Sequence, residues 1–174
     1  MKLKRGFRQL VDEAKSRIRS LTVEEARGRH GRDDVMFVDL RDIRELEREG
    51  MIPGAFHCPR GMLEFWIDPE SPYYKDVFGS GKEFVFYCSA AWRSALAADT
   101  AQQMGLPRVT ELEGGFTAWK AAGMPVAERK ASKPAGLTPA RRAPSAVPRR
   151  DASRYSGLRQ TIRAALSSQA ASVT

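Results

Sequence analysis

The centre of the chain reads Phe84-Val85-Phe86-Tyr87-Cys88-Ser89-Ala90-Ala91-Trp92-Arg93-Ser94-Ala95-Leu96-Ala97-Ala98. Its first four residues are apolar or aromatic and predict a short buried strand, whereas the alanine-rich run over residues 93–104 predicts a helix. Cys88 therefore falls on the tight turn between these two elements. Parallel α/β folds place ligand-binding groups at such turns, so Cys88 is the leading candidate for chemistry.

The predicted turn favours the ionised form of a cysteine. Backbone N–H groups at a helix start lack intrahelical partners, and the positive end of the helix dipole adds to their field. Both stabilise a thiolate, which is the nucleophilic form of cysteine. Arg93 supplies a fixed positive charge for an anionic substrate or for the sulfur. The small residues Ser89, Ala90 and Ala91 let a ligand approach the backbone closely.

Four patterns, one of them the loop after Cys88, follow one another along the chain: VMFVDLR (residues 35–41), GMIPGA (residues 50–55), the loop CSAAWR (residues 88–93) and EGGFTAW with GMPV (residues 113–119 and 123–126). Through them the chain resembles the rhodanese-like domains, a family of sulfurtransferases. The resemblance covers residues 21–126. The segment PRGMLEFW (residues 59–66), with SPY (residues 71–73), also resembles a bacterial subgroup whose proposed sulfur source is polysulfide.

The alternation of strand and helix signals predicts the α/β class. The resemblance implies a rhodanese-like fold, with a central, mainly parallel five-stranded sheet and helices on both faces. It also implies an enzyme of the thiosulfate sulfurtransferase type. A sulfane sulfur from a small anion (thiosulfate, polysulfide or another persulfide) would pass through a Cys88 persulfide to cyanide or a thiol, including a protein thiol. No metal or organic cofactor is expected.

The resemblance assigns substrate binding to the loop that follows Cys88. Two residues near the end of the predicted strand at 35–40, Asp39 and Arg41, are expected to pair with loop backbone and with Glu45, a structural role. In rhodanese-like domains the matching aspartate lies near the catalytic pocket, so the resemblance implies a supporting role at the pocket as the alternative for Asp39. Arg60 either adds positive field to the pocket or is simply solvated. The substrate-binding loop after Cys88 is expected to consist of Ser89, Ala90, Ala91, Trp92, Arg93 and Ser94.

Two cysteines do not form a disulfide framework, and neither belongs to a CxxC pair or a metal-spaced histidine set. The sequence also has no apolar run long enough to cross a membrane. We therefore expect a reducing, cytoplasmic setting. Cys58 is expected to be a packed small residue, with a second interpretation as a resolving partner for Cys88.

Charge divides the chain into unequal parts. Residues 1–128 carry 19 Lys and Arg against 20 Asp and Glu, whereas residues 129–174 carry 10 against 1. We predict an amphipathic leader helix within residues 1–20, a rhodanese-like domain over 21–128 and a basic, disordered tail over 129–174. No nucleic acid is expected for the domain. A weak helix in the tail, around Leu158 and Ile162, offers contact with an acidic partner or surface.

Two alternatives to sulfur transfer stay open. Cysteine phosphatases and arsenate reductases of related fold also use a loop of cysteine and arginine, but with five residues between the two. Only four separate Cys88 from Arg93, and the tighter loop favours a smaller substrate. A binding module without catalysis is the second alternative, and the presence of both Cys88 and Arg93 disfavours it.

Overall fold

A five-stranded parallel sheet forms the centre of the protein. The computed structural model describes residues 3–129, so the predicted tail lies, beyond its first residue, outside the described part. The order across the sheet is β1-β5-β4-β2-β3 and every pairing is parallel, which confirms the predicted fold class. The strands are β1 (Arg19–Leu21), β2 (Val35–Asp39), β3 (Phe56–His57), β4 (Glu83–Tyr87) and β5 (Val109–Leu112).

Six α-helices connect and cover these strands within the described residues. Two of them begin at capping boxes, with Thr22 and Asp42 as the N-cap residues, as the spacing to Glu25 and Glu45 favours. Short 3-10 helices lie at Arg60–Met62 and Asp76–Gly79. The helices are α1 (Phe7–Lys15), α2 (Val23–Arg27), α3 (Ile43–Glu49), α4 (Leu63–Ile67), α5 (Trp92–Gln103) and α6 (Gly115–Ala121).

Alternating side chains of β4 fill two separate cores. Phe84 and Phe86 pack on one face of the sheet, together with residues of α4 and α5. Val85 and Tyr87 pack on the other face, against Phe116 of α6 and residues of α2. Successive side chains of a strand point to opposite faces, so a continuous apolar run is what a strand covered on both sides requires.

The leader helix α1 docks on α5. Val11 and Ala14 bury their side chains against Ala95. At the helix end, Arg17 donates two hydrogen bonds to the Asp99 carboxylate, at 2.8 and 2.7 Å. Val11 and Ala14 therefore form the docking face, whereas Phe7 and Leu10 of the same helix are exposed. The helix occupies only part of the predicted leader of residues 1–20, because the chain enters β1 at Arg19.

None of the helices in the described part of the chain has the length and apolar character that a bilayer crossing requires.

Candidate active site

Cys88 directly follows β4, at the carboxyl edge of the parallel sheet. Its side chain is 1% exposed and borders the apolar core beneath α5. The sulfur also has a polar neighbour, because the Ser94 hydroxyl lies 3.6 Å from Cys88 Sγ. The sulfur therefore sits between an apolar floor and the polar first turn of α5, rather than wholly within the core.

The loop above the sulfur presents a row of unused backbone donors. The first helical hydrogen bond of α5 runs from Ala95 N to Ala91 O, at 3.2 Å. Ala91, the N-cap residue, adopts a left-handed conformation with φ of 64°. Within residues 3–129, no protein acceptor receives a hydrogen bond from the backbone N–H groups of Ser89 through Ser94. Consecutive free N–H groups around such a turn form a concave anion-binding surface.

The start of α6 supports this loop from the side. Phe116 N donates to Cys88 O at 2.8 Å, and Thr117 N donates to Ser89 O at 3.1 Å. Gly115 makes this approach feasible: its φ is 62°, and a Cβ there would lie 2.4 Å from Cys88 O.

Arg93 is held by a carboxylate from another element. Its two terminal nitrogens donate to Glu45 at 2.7 and 2.8 Å. These hydrogen bonds raise the pKa of the Arg93 guanidinium, and the neighbouring Cys88 side chain raises it further while burial opposes both. The same bonds hold the pKa of Glu45 down at about 2, against partial burial. Arg93 thus stays a fixed cation beside the sulfur.

Asp39 and Arg41 form a buried ion pair at the end of β2. Arg41 Nη2 lies 2.7 Å from Asp39 Oδ2 and also donates to Gly50 O at 2.7 Å, and its guanidinium stacks on the Phe116 ring. The expected pairing with loop backbone is present. The expected partner Glu45 is not, because Glu45 binds Arg93 instead.

Arg60 and Trp92 have partners of their own. Arg60, at the start of the 3-10 helix before α4, is partly exposed and forms an ion pair with Glu64 at 2.8 Å. Across the described residues, no hydrogen bond or ion pair links Arg60 to the Cys88 loop. Trp92 is 52% exposed, and its ring lies 5.1 Å from that of Phe7 in α1.

Cys58 is fully buried and lies in the same apolar cluster as Cys88. Burial raises the pKa of the Cys58 thiol to about 12, and the charge of Glu64 acts in the same direction. Both cysteines are free. Residues 3–129 bring no three metal-ligating side chains together.

Glu111 is the site residue that sequence reasoning missed. It lies in β5 with a fully buried side chain, and its carboxyl contacts the hydroxyls of Ser20 and Ser94 at 2.7 and 3.2 Å. Burial raises the pKa of Glu111, with Lys15 and the two hydroxyls opposing. The available signal was an acidic residue in a short run that also holds Val109 and Leu112.

Comparison with known proteins identifies the family. The model of the rhodanese-like domain matches residues 22–122. The chain belongs to this family. A rhodanese-like relative from Allochromatium vinosum, named Sulfurtransferase, is 35% identical over 94 residues, which cover 54% of this chain and 79% of that protein.

Two solved structures are similar to this rhodanese-like domain at higher coverage. One, from Rhodopseudomonas palustris CGA009, is described as a protein of unknown function and possible tyrosine phosphatase. It is 55% identical with a TM-score of 0.71, and the match covers 73% of this chain and 98% of that one. The other is the polysulfide-sulfur transferase homodimer from Wolinella succinogenes. It is 29% identical with a TM-score of 0.54, over 71% of this chain and 88% of that one.

Proposed function

We propose that this protein is a sulfurtransferase that carries a sulfane sulfur as a persulfide on Cys88. The observation that carries the proposal is the row of six free backbone N–H groups, from Ser89 to Ser94, beside a cysteine and a fixed arginine. Such a surface stabilises an anion at the nucleophile without any metal. The names of the Allochromatium and Wolinella relatives support the same chemistry.

The proposed reaction has two transfers. The Cys88 thiolate attacks the outer sulfur of thiosulfate, polysulfide or another persulfide. A new S–S bond forms, the donor's S–S bond breaks, and sulfite or the shortened donor leaves with the bonding electron pair. Cyanide or a thiolate then attacks the terminal sulfur of the persulfide and regenerates the Cys88 thiolate. Covalent catalysis of this kind divides one transfer into two easier ones.

The loop after Cys88 and the ion pair at the end of β2 have separate roles in this proposal. The backbone N–H groups bind the persulfide and the charged end of the donor, and Arg93 adds positive charge. Asp39 and Arg41 hold the neighbouring connection through Gly50 and make no hydrogen bond to Cys88 within the described residues. Because free thiols persist in reducing compartments, we propose a cytoplasmic setting.

A phosphatase is the second candidate, because the Rhodopseudomonas structure carries that description. A cysteine and an arginine beside an anion-binding loop serve phosphate esters as well as sulfur anions. The four-residue spacing between Cys88 and Arg93 favours the smaller sulfur substrate. Both activities are therefore to be measured on the same preparation.

The test compares the full chain with Cys88→Ser and, as a matched control, Cys58→Ala. With thiosulfate and cyanide, we expect Cys88→Ser to lose at least about a thousandfold in turnover, and Cys58→Ala to retain activity. Intact mass after donor treatment is expected to show one added sulfur, mapped to Cys88. A mass gain at Cys58, or full turnover by Cys88→Ser, would contradict the proposal. Hydrolysis of an aryl phosphate without sulfur loading would favour the phosphatase.

A further inference from the structure

A chain of polar contacts leads from the sulfur into the core. Ser94 Oγ lies 3.6 Å from Cys88 Sγ and 3.2 Å from Glu111 Oε2. All three side chains are almost completely buried. Ser94 comes from the first turn of α5 and Glu111 from β5, so two elements bring these groups together.

The Glu111 carboxyl has two unlike ends. Oε1 accepts a hydrogen bond from Ser20 Oγ at 2.7 Å and lies 3.8 Å from the ammonium group of Lys15. Oε2 faces Ser94 alone among the hydrogen-bonding groups of the described residues. A donor and a cation at Oε1 favour its role as acceptor, which leaves Oε2 as the oxygen that carries a proton.

The Ser94 hydroxyl has only one hydrogen to give. With a Glu111 carboxylate, that hydrogen is drawn to Oε2 and away from the sulfur. With a protonated Glu111, Oε2–H donates to Ser94 Oγ and the hydroxyl hydrogen is free to point at Cys88 Sγ. Two buried negative charges so close together disfavour each other, so a single proton shared by the two sites is the favoured arrangement.

We propose that Glu111 is a positioning residue that takes up, through Ser94, the proton leaving Cys88 and thereby turns the Ser94 hydroxyl toward the thiolate. The inference rests on the function proposed above. In this step the Cys88 S–H bond breaks and its proton goes to Ser94 Oγ, while the hydroxyl hydrogen of Ser94 passes to Glu111 Oε2. The products are a thiolate, an unchanged serine hydroxyl and a neutral carboxylic acid, so the proton count balances.

The groups that face Glu111 support a proton on the carboxyl. Burial raises its pKa and the charge of Glu113, just beyond β5, acts in the same direction. Lys15 from α1, Ser20 from β1 and Ser94 from α5 act against it, but the net shift is upward. Lys15 is more than a third exposed, so solvent weakens its charge at this distance.

The first test reads the protonated carboxyl directly, without any sulfur donor. Infrared spectra of the full chain are titrated with pH, and the band lost in Glu111→Gln is assigned to Glu111. We expect Cys88→Ala to lower the proton affinity of Glu111 by about tenfold or more, because the neighbouring negative charge is gone. Ser94→Ala is expected to weaken this coupling. If Glu111→Gln fails to fold, Glu111→Asp, which keeps the carboxyl but displaces its band, provides the assignment.

The second test is the pH profile of persulfide loading by thiosulfate. The wild type is expected to lose loading rate on the alkaline side, where Glu111 ionises and a second negative charge appears below the loop. Glu111→Gln, which mimics the protonated acid, is expected to lack this decline. Asp99→Asn is the matched control and keeps the decline, because Asp99 is a buried acid whose hydrogen-bond partners among the described residues are Arg17, just after α1, and Gln103 of α5.

Two results would overturn the inference: a Glu111 carboxyl that is already ionised at neutral pH, or a carboxyl whose titration ignores Cys88→Ala. Either result would leave the sulfurtransferase proposal standing, because the infrared titration contains no donor. Conversely, absence of sulfur loading in the wild type would refute the proposed function while the coupling of the two protons remained measurable.

Discussion

Glu45 links the third helix to the candidate catalytic loop. Its carboxylate accepts a hydrogen bond from the backbone of Asp42, which completes the capping box of α3, and it also binds both terminal nitrogens of Arg93. The pKa of Glu45 is depressed from 4.5 to about 2, chiefly by the hydrogen bonds from Arg93. One side chain therefore fixes a helix start and the orientation of the cation beside Cys88.

Glu45→Gln tests this pairing through stability. A group whose folded pKa is depressed contributes stability above its unfolded value, and that contribution is lost as pH falls through the folded value. The contribution of Glu45 is therefore present above pH 4.5 and disappears toward about pH 2. We expect the free energy of unfolding of Glu45→Gln to lie below that of the wild type at neutral pH and to converge with it in acid.

The glutamine variant retains an oxygen that can cap α3, so the comparison isolates the charge. Glu47→Gln, exposed on the same helix, is the control and should track the wild type at every pH. Denaturant unfolding at a series of pH values measures the difference. A constant gap between wild type and Glu45→Gln from neutral to acid pH would show that the ion pair does not stabilise the fold.

At the scale of elements, α6 acts as a support for the loop after β4. The contact depends on a glycine at its first position, since a Cβ on Gly115 would lie 2.4 Å from Cys88 O and 2.8 Å from Ser89 O. Gly123, at the end of the same segment, has a similar positive φ of 68° but nothing within 4 Å of its Cβ position. An alanine at either position would strain the backbone, but only an alanine at Gly115 would also overlap with neighbouring atoms.

Gly115→Ala is expected to destabilise the fold by more than Gly123→Ala. Both variants carry the cost of a left-handed alanine, about 1–2 kcal/mol, but only Gly115→Ala also pushes the helix away from the Cys88 loop. We expect persulfide loading to fall in Gly115→Ala and to persist in Gly123→Ala, as measured by intact mass and by the free energy of unfolding. Equal losses in the two variants would mean that α6 does not position the loop.

Sequence patterns predicted most elements because burial on both faces leaves a strong signal. The apolar run before Cys88, which forms β4, is one such case. β1 was missed because Arg19–Leu21 is only three residues long and two of them are polar. The strand conformation of β1 is stabilised by its hydrogen bonds to β5 rather than favoured by its own residues.

The site was less accessible to sequence reasoning, because its contacts join distant positions. Glu45 lies 48 residues from Arg93, and Ser20 lies 91 residues from Glu111. Glu45 was expected to pair with Arg41, four residues away in the sequence, because the sequence does not show that the fold brings the distant Arg93 to it. Glu111 was missed because β5, Val109–Leu112, alternates apolar and polar residues, and its sequence does not show that the Glu111 side chain is buried beside Ser20 and Ser94.

At the scale of the whole molecule, positive charge is concentrated away from the domain. Residues 1–128 are nearly neutral, whereas residues 129–174 carry 10 basic residues and 1 acidic residue. The domain and the basic segment are therefore expected to contribute separately to what the protein does.

Truncation after Lys130 tests this separation. We expect turnover of thiosulfate to be unchanged, because Cys88, Arg93 and Glu45 keep all their described partners. Binding to an acidic surface, measured with anionic vesicles at low and high salt, is expected to be lost, since most of the net positive charge is removed. Equal vesicle binding by the full and the truncated chain would show that the basic segment does not bind acidic surfaces. A large loss of turnover in the truncated chain would show that the segment contributes to the site.

The left-handed backbone conformation of Ala91 has a consequence for which anions the proposed site would select. Its left-handed turn and the α6 contacts fix the loop in the folded chain, so the anion site that we propose there would be formed before an anion binds. Binding then demands little additional loss of conformational entropy, which is the general benefit of a preorganised receptor. Such a receptor discriminates by size and shape, because it has little freedom to close around a poorly matched guest.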